Sequence, residues 1–460
     1  MQTLSRASTQ RALATGLIMA VTLNAFEAVA VVTAMPAISE ELDGDRLYGA
    51  AFSAYMLASL VALVVSGEQA DRRGPAVPFL SAVGIFTAGL VVAGLAPSMP
   101  VLLAGRVLQG AGAGALASVA YVGIGRAWPS EEQPRLFALL STAWVVPSLV
   151  APLAAGWITE ELGWRWVFLG LLPLVPVLLL LAARPLIALG PPSPSERRVS
   201  PTGGTGVGDE TPAARWPFAV RLAIGSALVL AALQSGSVLV AAAFLFPGFA
   251  LAGPALIRLL PDGTLQARPG IPAAVAARLC VNIAFFGCDT FVPLAATRLH
   301  GTSTLVAGSV IVGGSLVWTV GAVFSARAGW PAGRAARLGF AALAAGTAGT
   351  IVVVVSSIPL WVTFLTCAVS GFGIGVVFNT TSVAAMSQAP KGREGLVGSQ
   401  LGVADALGFA TIGAVGGAMV GAADRGVLGL GPALALVFLL ASAIALLGAS
   451  FAPRVRTATS

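Results

Sequence analysis

The sequence predicts an all-α polytopic membrane protein. Of its 460 residues, 57% are hydrophobic and 10% are charged, whereas a soluble domain carries roughly 25% charged residues. The mean hydropathy is +0.90, and apolar runs long enough for a membrane helix recur along the chain. The 55 glycines fit a helical bundle, because Gly lets helices approach closely, and they show no Gly-X-Y period.

A helix that crosses the bilayer needs about 20 mostly apolar residues. By this criterion six spans come first, at 12–36, 47–67, 76–96, 100–126, 136–158 and 165–184. Two further runs lie at 218–235 and 238–257. The last six spans lie at 272–296, 304–324, 338–356, 359–380, 396–421 and 431–451, which makes fourteen in total. Pro247 and Pro254 interrupt the run 238–257, so the middle pair is alternatively a re-entrant or surface hairpin, which leaves twelve spans.

These spans divide the chain into four segments. An N-terminal six-helix bundle covers 12–184, and the Pro-, Gly- and Ser-rich stretch 185–217 predicts a flexible cytoplasmic linker. The segment 218–271 holds the two extra transmembrane helices and a basic loop. The segment 272–451 forms the C-terminal six-helix bundle.

The basic residues orient the chain by the positive-inside rule. With the N-terminus in the cytoplasm, 21 of the 26 basic residues lie on the cytoplasmic side, Arg278 among them, four lie outside and Arg106 lies within a span. The rule therefore predicts cytoplasmic N- and C-termini, and topology explains the net charge of +7 without nucleic-acid binding. Lys391 is the single lysine, and this preference for Arg is typical of a GC-rich bacterial genome, so we expect a bacterial inner-membrane protein.

Cysteine and histidine usage argues against a metal site or an enzyme. Cys280, Cys288 and Cys367 lie in apolar runs without metal or disulfide spacing, and His300 is the single histidine. The stretch "GGTGVG" in the linker has no flanking strand, so it does not predict a dinucleotide site. We expect no metal, no cofactor and no enzymatic activity.

Four charged residues lie well within the predicted spans: Glu27, Arg106, Asp289 and Asp405. A charge at mid-membrane costs about 2.5–3.5 kcal/mol, so such residues usually face a water-filled path or a partner. The alternative interpretation is that they only pair to hold helices together.

Glu27 has polar neighbours of its own. Asn24 lies three residues earlier on the same helical face, and Gln109 shares a face with Arg106 at the same spacing. A carboxylate in a low-dielectric cavity is able to bind and release a proton near neutral pH, because desolvation disfavours its charged form. A proton-coupled carrier needs this property.

Two motifs carry a family resemblance. The fourth span reads "LLAGRVLQGAGAGALA", in which Arg106, Gln109, Gly110 and Gly112 follow the pattern R-x-x-Q-G-x-G. The first span reads "FEAVAVVTAMPAISEEL", with Glu27 nine residues before the proline. Together they resemble the major facilitator superfamily, specifically its fourteen-span drug:proton antiporter branch, in which an Asp is usual at that position. The resemblance implies the major facilitator fold, two six-helix bundles plus two extra central helices, and gives the arginine a role in proton coupling.

The loop after the second span resembles a further motif of this family. It reads "GEQADRRG", with Gly67, Asp71, Arg72 and Gly74 in place, although the Arg-Lys pair that usually follows is missing. The resemblance implies that the Asp pairs at the helix ends and latches the outward-open state. A similar basic loop follows the tenth span, which indicates a parallel internal duplication.

The fifth and sixth spans complete the resemblance. "VVPSLVAPLAAGW" is similar to the antiporter pattern of the fifth helix, with Pro147, Pro152 and Gly156 in place and alanines where two glycines are usual. "GWRWVFLG" resembles the start of the sixth helix of drug exporters. We expect these prolines and glycines to belong to the conformational switch.

The two bundles should enclose a central cavity that opens alternately to each side. An amphipathic or cationic organic compound would bind there, between aromatic and small polar side chains. The candidate lining residues are Asn24, Tyr55, Gln109, Trp144, Phe285, Phe286, Trp318 and Asn379. The alternative for each aromatic residue is ordinary helix packing.

The sequence therefore predicts a proton-coupled secondary active exporter of the multidrug-efflux type, with a role in antibiotic resistance. Glu27 carries the proton, alone or shared with Asp289 or Asp405, and the proton gradient supplies the energy. The expected partners are protons, an amphipathic small molecule and the lipid bilayer, and we expect a monomer. The alternatives are a dedicated exporter of a lipid, siderophore or natural product on the same fold, an importer, and a non-transporting sensor or scaffold.

Overall fold

The computed structural model of the protein is helical throughout the residues that it describes. These residues are 2–129, 132, 136, 139–140, 143–191, 215–235, 238–355, 357–389 and 394–456, and no strand occurs among them. Most of the predicted linker, 192–214, lies outside the described residues. The all-α polytopic architecture is confirmed.

The helices form two halves with a pair between them. The first half contains α1 (Gln2–Glu41), α2 (Tyr48–Arg73), α3 (Ala76–Gly94), α4 (Met99–Ala127), α5 (Val145–Glu161), α6 (Arg165–Leu169) and α7 (Leu174–Leu189). The middle pair is α8 (Trp216–Gln234) and α9 (Val238–Leu259). The second half contains α10 (Ile271–Asp289), α11 (Val292–His300), α12 (Thr304–Arg327), α13 (Ala332–Gly349), α14 (Trp361–Ser387), α15 (Glu394–Asp424) and α16 (Leu430–Phe451).

Within the described ranges, twelve helical segments are long and apolar enough to cross a membrane. This set includes Leu239–Leu259 from the middle pair. It therefore differs from the twelve-span alternative predicted from sequence, in which both helices of the middle pair are left out. Two shorter helices stand beside them, α5 with 17 residues and α8 with 19. The division into four segments and the count of fourteen crossings stay predictions.

Two predicted spans are interrupted. The run 165–184 divides into α6 and α7, and the run 272–296 divides into α10 and α11 at Thr290. Pro293 lies in the first turn of α11, where its missing backbone N–H costs nothing. The break leaves Asp289 as the last residue of α10 rather than in the middle of a continuous helix.

The middle pair lies against the junction of the two halves. α8 packs on α2 and α15, while α9 packs mainly on α8. The Glu68 carboxylate of α2 accepts hydrogen bonds from the backbone N–H groups of Arg215 (2.8 Å) and Trp216 (3.1 Å), and so binds the N-terminus of α8. Leu239 and Phe246 of α9 are 83% and 81% exposed, which makes the outer face of α9 a lipid-facing surface.

The two ends of the bundle carry opposite charge. At one end the Arg126 guanidinium at the end of α4 donates to the Gly190 carbonyl oxygen beyond α7, at 2.9 Å. We call this end the basic face, and its arginines include Arg72, Arg73, Arg126, Arg454 and Arg456. The opposite end, the acidic face, carries Glu40, Glu41, Asp45, Glu160 and Asp424.

The halves are joined tightly at the acidic face. One apolar core there takes residues from both halves, among them Met35, Phe52 and Phe291. Several polar contacts cross the same boundary, among them Arg298 to Asp45 (3.3 Å), Arg46 to Asp424 (2.8 Å), and the Leu305 backbone N–H to Glu160 (2.7 Å).

Toward the basic face the core divides. One cluster belongs to the N-terminal half and includes Leu13 and Phe79; another belongs mainly to the C-terminal half and includes Phe340 and Ala404. Tyr121, six residues before the end of α4, is 59% exposed. The cleft between the halves is therefore open to the basic face and closed at the acidic face.

Glycines make the closed boundary possible. A Cβ atom added at Gly49 of α2 would overlap the Gly413 carbonyl oxygen of α15. A Cβ atom at Gly156 of α5 would lie 2.6 Å from the Leu305 Cα of α12, and one at Gly308 would lie 2.6 Å from the Pro152 carbonyl oxygen. Contacts under 3.0 Å are not tolerated, so side chains at these positions would hold the halves apart.

We predict that Gly49→Leu prevents closure of the acidic face. Thr33 is buried in the parent protein, so a Thr33→Cys reporter in a background without native cysteines should react faster with a maleimide when Gly49→Leu is present. Gly84→Leu on α3 is the control, because nothing lies within 4 Å of its added Cβ. Equal reactivity of the two variants would contradict this account of the boundary.

Candidate functional site

A buried ion pair joins α1 to α4. The Glu27 and Arg106 side chains are 0% and 2% exposed, and Arg106 Nη1 donates to Glu27 Oε1. The same Nη1 donates to Gln109 Oε1 at 3.0 Å. Two of the charges that the sequence places within spans, one in the first and one in the fourth, thus lie in direct contact.

The guanidinium of Arg106 also reaches α2. Its Cζ lies 4.3 Å from the ring centroid of Tyr55, and its Nε donates to the Ala51 carbonyl oxygen at 3.4 Å. The Tyr55 hydroxyl in turn donates to Asn24 Oδ1 on α1. Five residues predicted from sequence therefore form one polar cluster, which we call the N-terminal cluster: Asn24, Glu27, Tyr55, Arg106 and Gln109.

Close helix packing around α4 brings this cluster together. A Cβ atom at Gly110 would overlap the Tyr55 carbonyl oxygen of α2, and one at Gly112 would lie 2.5 Å from Phe86 Cβ of α3. The predicted R-x-x-Q-G-x-G pattern thus has a physical basis: its polar residues form the site, and its glycines let α2 and α3 approach it.

Two polar atoms of this cluster have no hydrogen-bond partner among the described residues. They are Glu27 Oε2 and Gln109 Nε2. Arg106 therefore binds one oxygen of the carboxylate and leaves the other available. A buried carboxylate of this kind holds a proton at its second oxygen at less cost than a fully bonded one.

A second ion pair lies in the C-terminal half, and sequence reasoning placed one of its members wrongly. Arg278, predicted at the cytoplasmic surface, is 5% exposed in α10, so Arg106 is not the single deeply placed base. Its Nε and Nη2 donate to the two oxygens of Asp405 on α15, at 2.5 and 3.1 Å. This fork geometry is the strongest form of a guanidinium–carboxylate contact.

Further groups complete this C-terminal cluster. Arg278 Nη1 donates to Ser382 Oγ at 2.8 Å and to the Phe378 carbonyl oxygen at 2.9 Å, and its Cζ lies 3.0 Å from the Phe378 ring centroid. Asn282 Nδ2 donates to Asp405 Oδ1 at 2.8 Å. The Asp405 side chain is 31% exposed, unlike that of Glu27, so this carboxylate is reachable from the open cleft.

An aromatic chain runs from the C-terminal cluster toward the acidic face. Phe378, Trp318, Phe285, Phe286 and Phe409 follow one another with ring centroids 4.5–5.5 Å apart. The predicted lining residues Phe285, Phe286 and Trp318 are thus brought together, and Phe378 and Phe409 were missed.

Three predicted site residues belong neither to the two clusters nor to the aromatic chain. Trp144 is 43% exposed where α5 begins. Asn379 donates to Ser325 Oγ of α12 at 3.4 Å, next to the aromatic chain. Asp289 lies at the α10–α11 break and has no hydrogen-bond or ion-pair partner in the described part of the chain.

The predicted switch residues occupy helix ends and helix contacts. Gly74 ends α2 with φ of 85°, a conformation that favours Gly, and Gly67 lies where an added Cβ would be 3.2 Å from Ser118 Oγ of α4. Arg72 lies 3.9 Å from Glu68, and the Asp71 side chain lies outside the described residues. Pro147 is buried in the first turn of α5.

Known proteins show what this chain resembles. A probable multidrug-efflux transporter of Mycobacterium tuberculosis is 30% identical over 331 residues, which are 69% of this chain and 67% of that protein. The multidrug transporter protein MdtP of Bacillus subtilis is 32% identical over 174 residues, 38% of this chain and 32% of that one.

The fold has solved counterparts as well. The crystal structure of a POT family transporter in complex with a thioalcohol-conjugated peptide aligns with a TM-score of 0.66 at 13% identity and covers 96% of each chain. The family model of the Major Facilitator Superfamily matches residues 17–413, a range that contains both clusters. The chain is therefore a membrane transporter of the major facilitator superfamily.

Proposed function

We propose that this transporter is a proton-coupled exporter of amphipathic or cationic organic compounds. The observation that carries the proposal is the Glu27–Arg106 pair, a carboxylate enclosed between α1 and α4 with one oxygen held by a guanidinium and the other unpaired. A charge pair so fully removed from water costs stability in a membrane bundle. A proton-binding role accounts for that cost.

The geometry of the Glu27–Arg106 pair supports a specific coupling step. In the form open to the basic face, Arg106 stabilises the charged carboxylate of Glu27, so a proton leaves toward that side. In the opposite form, a proton from the acidic face neutralises Glu27 and removes its attraction for Arg106, which loosens α1 from α4. For an uncharged substrate, one proton moved through 100 mV supplies about 2.3 kcal/mol, which sustains roughly a fiftyfold concentration ratio. When one proton is exchanged for one monovalent cation no net charge moves, and each unit of pH difference sustains roughly a tenfold ratio.

Orientation follows from the charge of the two ends. The arginine-rich basic face belongs in the cytoplasm by the positive-inside rule, with both chain termini on that side. The cleft then takes its substrate from the cytoplasm, and the acidic face receives the proton from outside. We propose a monomer in a bacterial inner membrane, with the proton gradient as its energy source.

The C-terminal cluster and its aromatic chain support the proposed substrate class. Asp405 presents a partly exposed carboxylate to the cleft, and the aromatic chain that continues from Phe378 to Trp318 supplies further rings for the apolar part of a cation. The names of the relatives, multidrug-efflux transporter and multidrug transporter, support broad specificity. A dedicated exporter of a lipid, siderophore or natural product is the alternative, and it would carry one compound well and dyes poorly.

The proposal is tested in proteoliposomes with an imposed pH gradient. Ethidium, a lipophilic cation, should accumulate against its gradient on the side with more protons, and a protonophore should abolish the accumulation. If ethidium accumulation changed neither with the pH gradient nor with the protonophore, proton coupling would be ruled out.

Asp405→Asn should weaken binding of ethidium by roughly tenfold, the factor for the loss of about 1.4 kcal/mol of charge attraction. Binding of a neutral amphipathic substrate should change little, because Asn keeps the size and one oxygen acceptor. Fluorescence titration measures both. The control is Asp424→Asn, which removes an exposed carboxylate from the same helix. If Asp405→Asn weakened binding of ethidium and of the neutral substrate equally, a role of Asp405 in cation binding would be refuted.

A further inference from the structure

A cavity of about 380 Å³ lies at the basic face and shares no lining residue with either cluster. It is formed by the start of α13 and the end of the chain, and is lined by Pro331, Ala332, Gly333, Arg334, Arg337, Pro453, Val455 and Arg456. A Cβ atom added at Gly333 would lie 2.8 Å from Pro453 Cα, so the two segments meet closely beside the cavity.

Three arginines around this cavity are uncompensated. Arg334, Arg337 and Arg456 have no ion pair with a described acidic residue, and no acidic residue lines the cavity. The neighbouring Arg454 is different, because its Nη1 donates to the carbonyl oxygens of Gln266 (2.9 Å) and Ala267 (3.4 Å). Three free guanidinium groups around one cavity match the chemistry of a phosphate group.

An apolar groove of about 520 Å³ runs along the adjacent α12, and its lining is Thr319, Val320, Val323, Phe324, Arg327 and Ala328. Val320 and Phe324 are 57% and 39% exposed on the outside of the bundle, where lipid chains lie. The groove therefore starts within the membrane and ends at an arginine at its surface.

Trp330 connects the groove to the cavity. Its ring centroid lies 5.2 Å from that of Phe324, which lines the groove, and the Cζ of Arg334, which lines the cavity, lies 5.2 Å from the same ring. Tryptophan favours the membrane–water interface, so this residue marks the depth at which an acyl chain meets its headgroup.

We propose that the groove and the cavity together bind one anionic phospholipid of the leaflet at the basic face. The phosphate lies between Arg334, Arg337 and Arg456, and one acyl chain lies along Val320 and Phe324 of α12. A soluble phosphate compound would use the cavity alone, and a zwitterionic lipid would gain less from three cations because its ammonium group offsets the phosphate.

Native mass spectrometry of the full chain in detergent, titrated with phosphatidylglycerol or phosphatidylcholine, tests the proposal. The parent protein should retain phosphatidylglycerol in preference to phosphatidylcholine. The triple variant R334Q/R337Q/R456Q should bind phosphatidylglycerol at least roughly tenfold more weakly. The control triple R11Q/R73Q/R258Q removes the same charge from exposed arginines elsewhere at that face and should bind like the parent.

A second pair of measurements separates a lipid from a free anion. Val320→Trp should fill the groove and weaken phosphatidylglycerol binding without touching the arginines, and 10 mM inorganic phosphate should not displace the lipid. Equal retention of both lipids by the parent protein would overturn the proposal. Full displacement by inorganic phosphate, or equal losses in the two arginine triples, would overturn it as well.

Discussion

Glu27→Gln is expected to abolish accumulation of ethidium driven by a pH gradient, a loss of roughly a tenfold concentration ratio per pH unit for one proton exchanged per substrate. Gln has the size of Glu and keeps an oxygen that accepts the bond from Arg106, but it does not take up a proton. Arg106 also keeps its contacts with Gln109, the Ala51 carbonyl and the Tyr55 ring. The binding site should therefore survive while the coupling is lost.

Counterflow separates these two properties. In vesicles preloaded with unlabelled substrate and without a pH gradient, the Glu27→Gln protein should still exchange labelled substrate across the membrane. Glu41→Gln is the matched control, because it removes a carboxylate from the same helix where it is exposed and paired with Arg165. Gradient-driven accumulation by Glu27→Gln at the level of Glu41→Gln would show that the proton binds elsewhere.

Arg106→Met is expected to lower the free energy of unfolding by about 3–5 kcal/mol, the usual cost of removing one partner from a buried ion pair. The loss leaves the Glu27 carboxylate enclosed in apolar surroundings without its guanidinium. Thermal unfolding in detergent, followed by tryptophan fluorescence and size-exclusion chromatography, measures the decrease. Arg165→Met, at an exposed pair, should cost no more than about 1 kcal/mol.

The double variant Glu27→Gln/Arg106→Met checks the physical reason. With neither charge present, most of the stability should return, because no unpaired charge stays buried. Proton coupling should remain absent. A double variant as unstable as Arg106→Met would mean that Arg106 acts through its contacts with α2 rather than through Glu27.

The N-terminal cluster was predictable because its residues are exceptions in their surroundings. A carboxylate and a guanidinium within apolar runs destabilise the protein unless they have partners. The i, i+3 spacing placed Asn24 on the helical face of Glu27, and Gln109 on that of Arg106. Tyr55 was predicted only as one of several lining candidates. Its contact with Arg106 depends on how closely α2 approaches α4. In the sequence, the glycines of α4 are the only indication of this close approach.

Of the ion pair in the C-terminal cluster, Asp405 was predicted as a buried charge and Arg278 was not. Asp405 lies well within its apolar run, whereas Arg278 lies seven residues after the start of α10 and was counted among the basic residues of the cytoplasmic side. The signal that marks it is Asn282, one helical turn later, where a second polar residue continues the same face into the membrane. Phe378 and Phe409 had no comparable signal, since aromatic residues are common in membrane helices and only packing shows which ones face the cleft.

The positions of the helices were predicted more fully than the breaks within them. Hydropathy located the helices, but the break at Thr290 and the short α6 depend on local backbone geometry that an apolar run does not reveal. The close boundary at Gly49 likewise depends on contacts between helices that are distant in sequence.

The central claim is that substrate movement is tied to a proton carried by Glu27, and substrate-driven proton flux tests it most directly. Proteoliposomes loaded with ethidium and an internal pH-sensitive dye are diluted into substrate-free buffer, so that substrate efflux must draw protons inward. The parent protein should acidify the lumen, and Glu27→Gln should release ethidium without any change in internal pH. Acidification by Glu27→Gln at the parent rate would contradict the account.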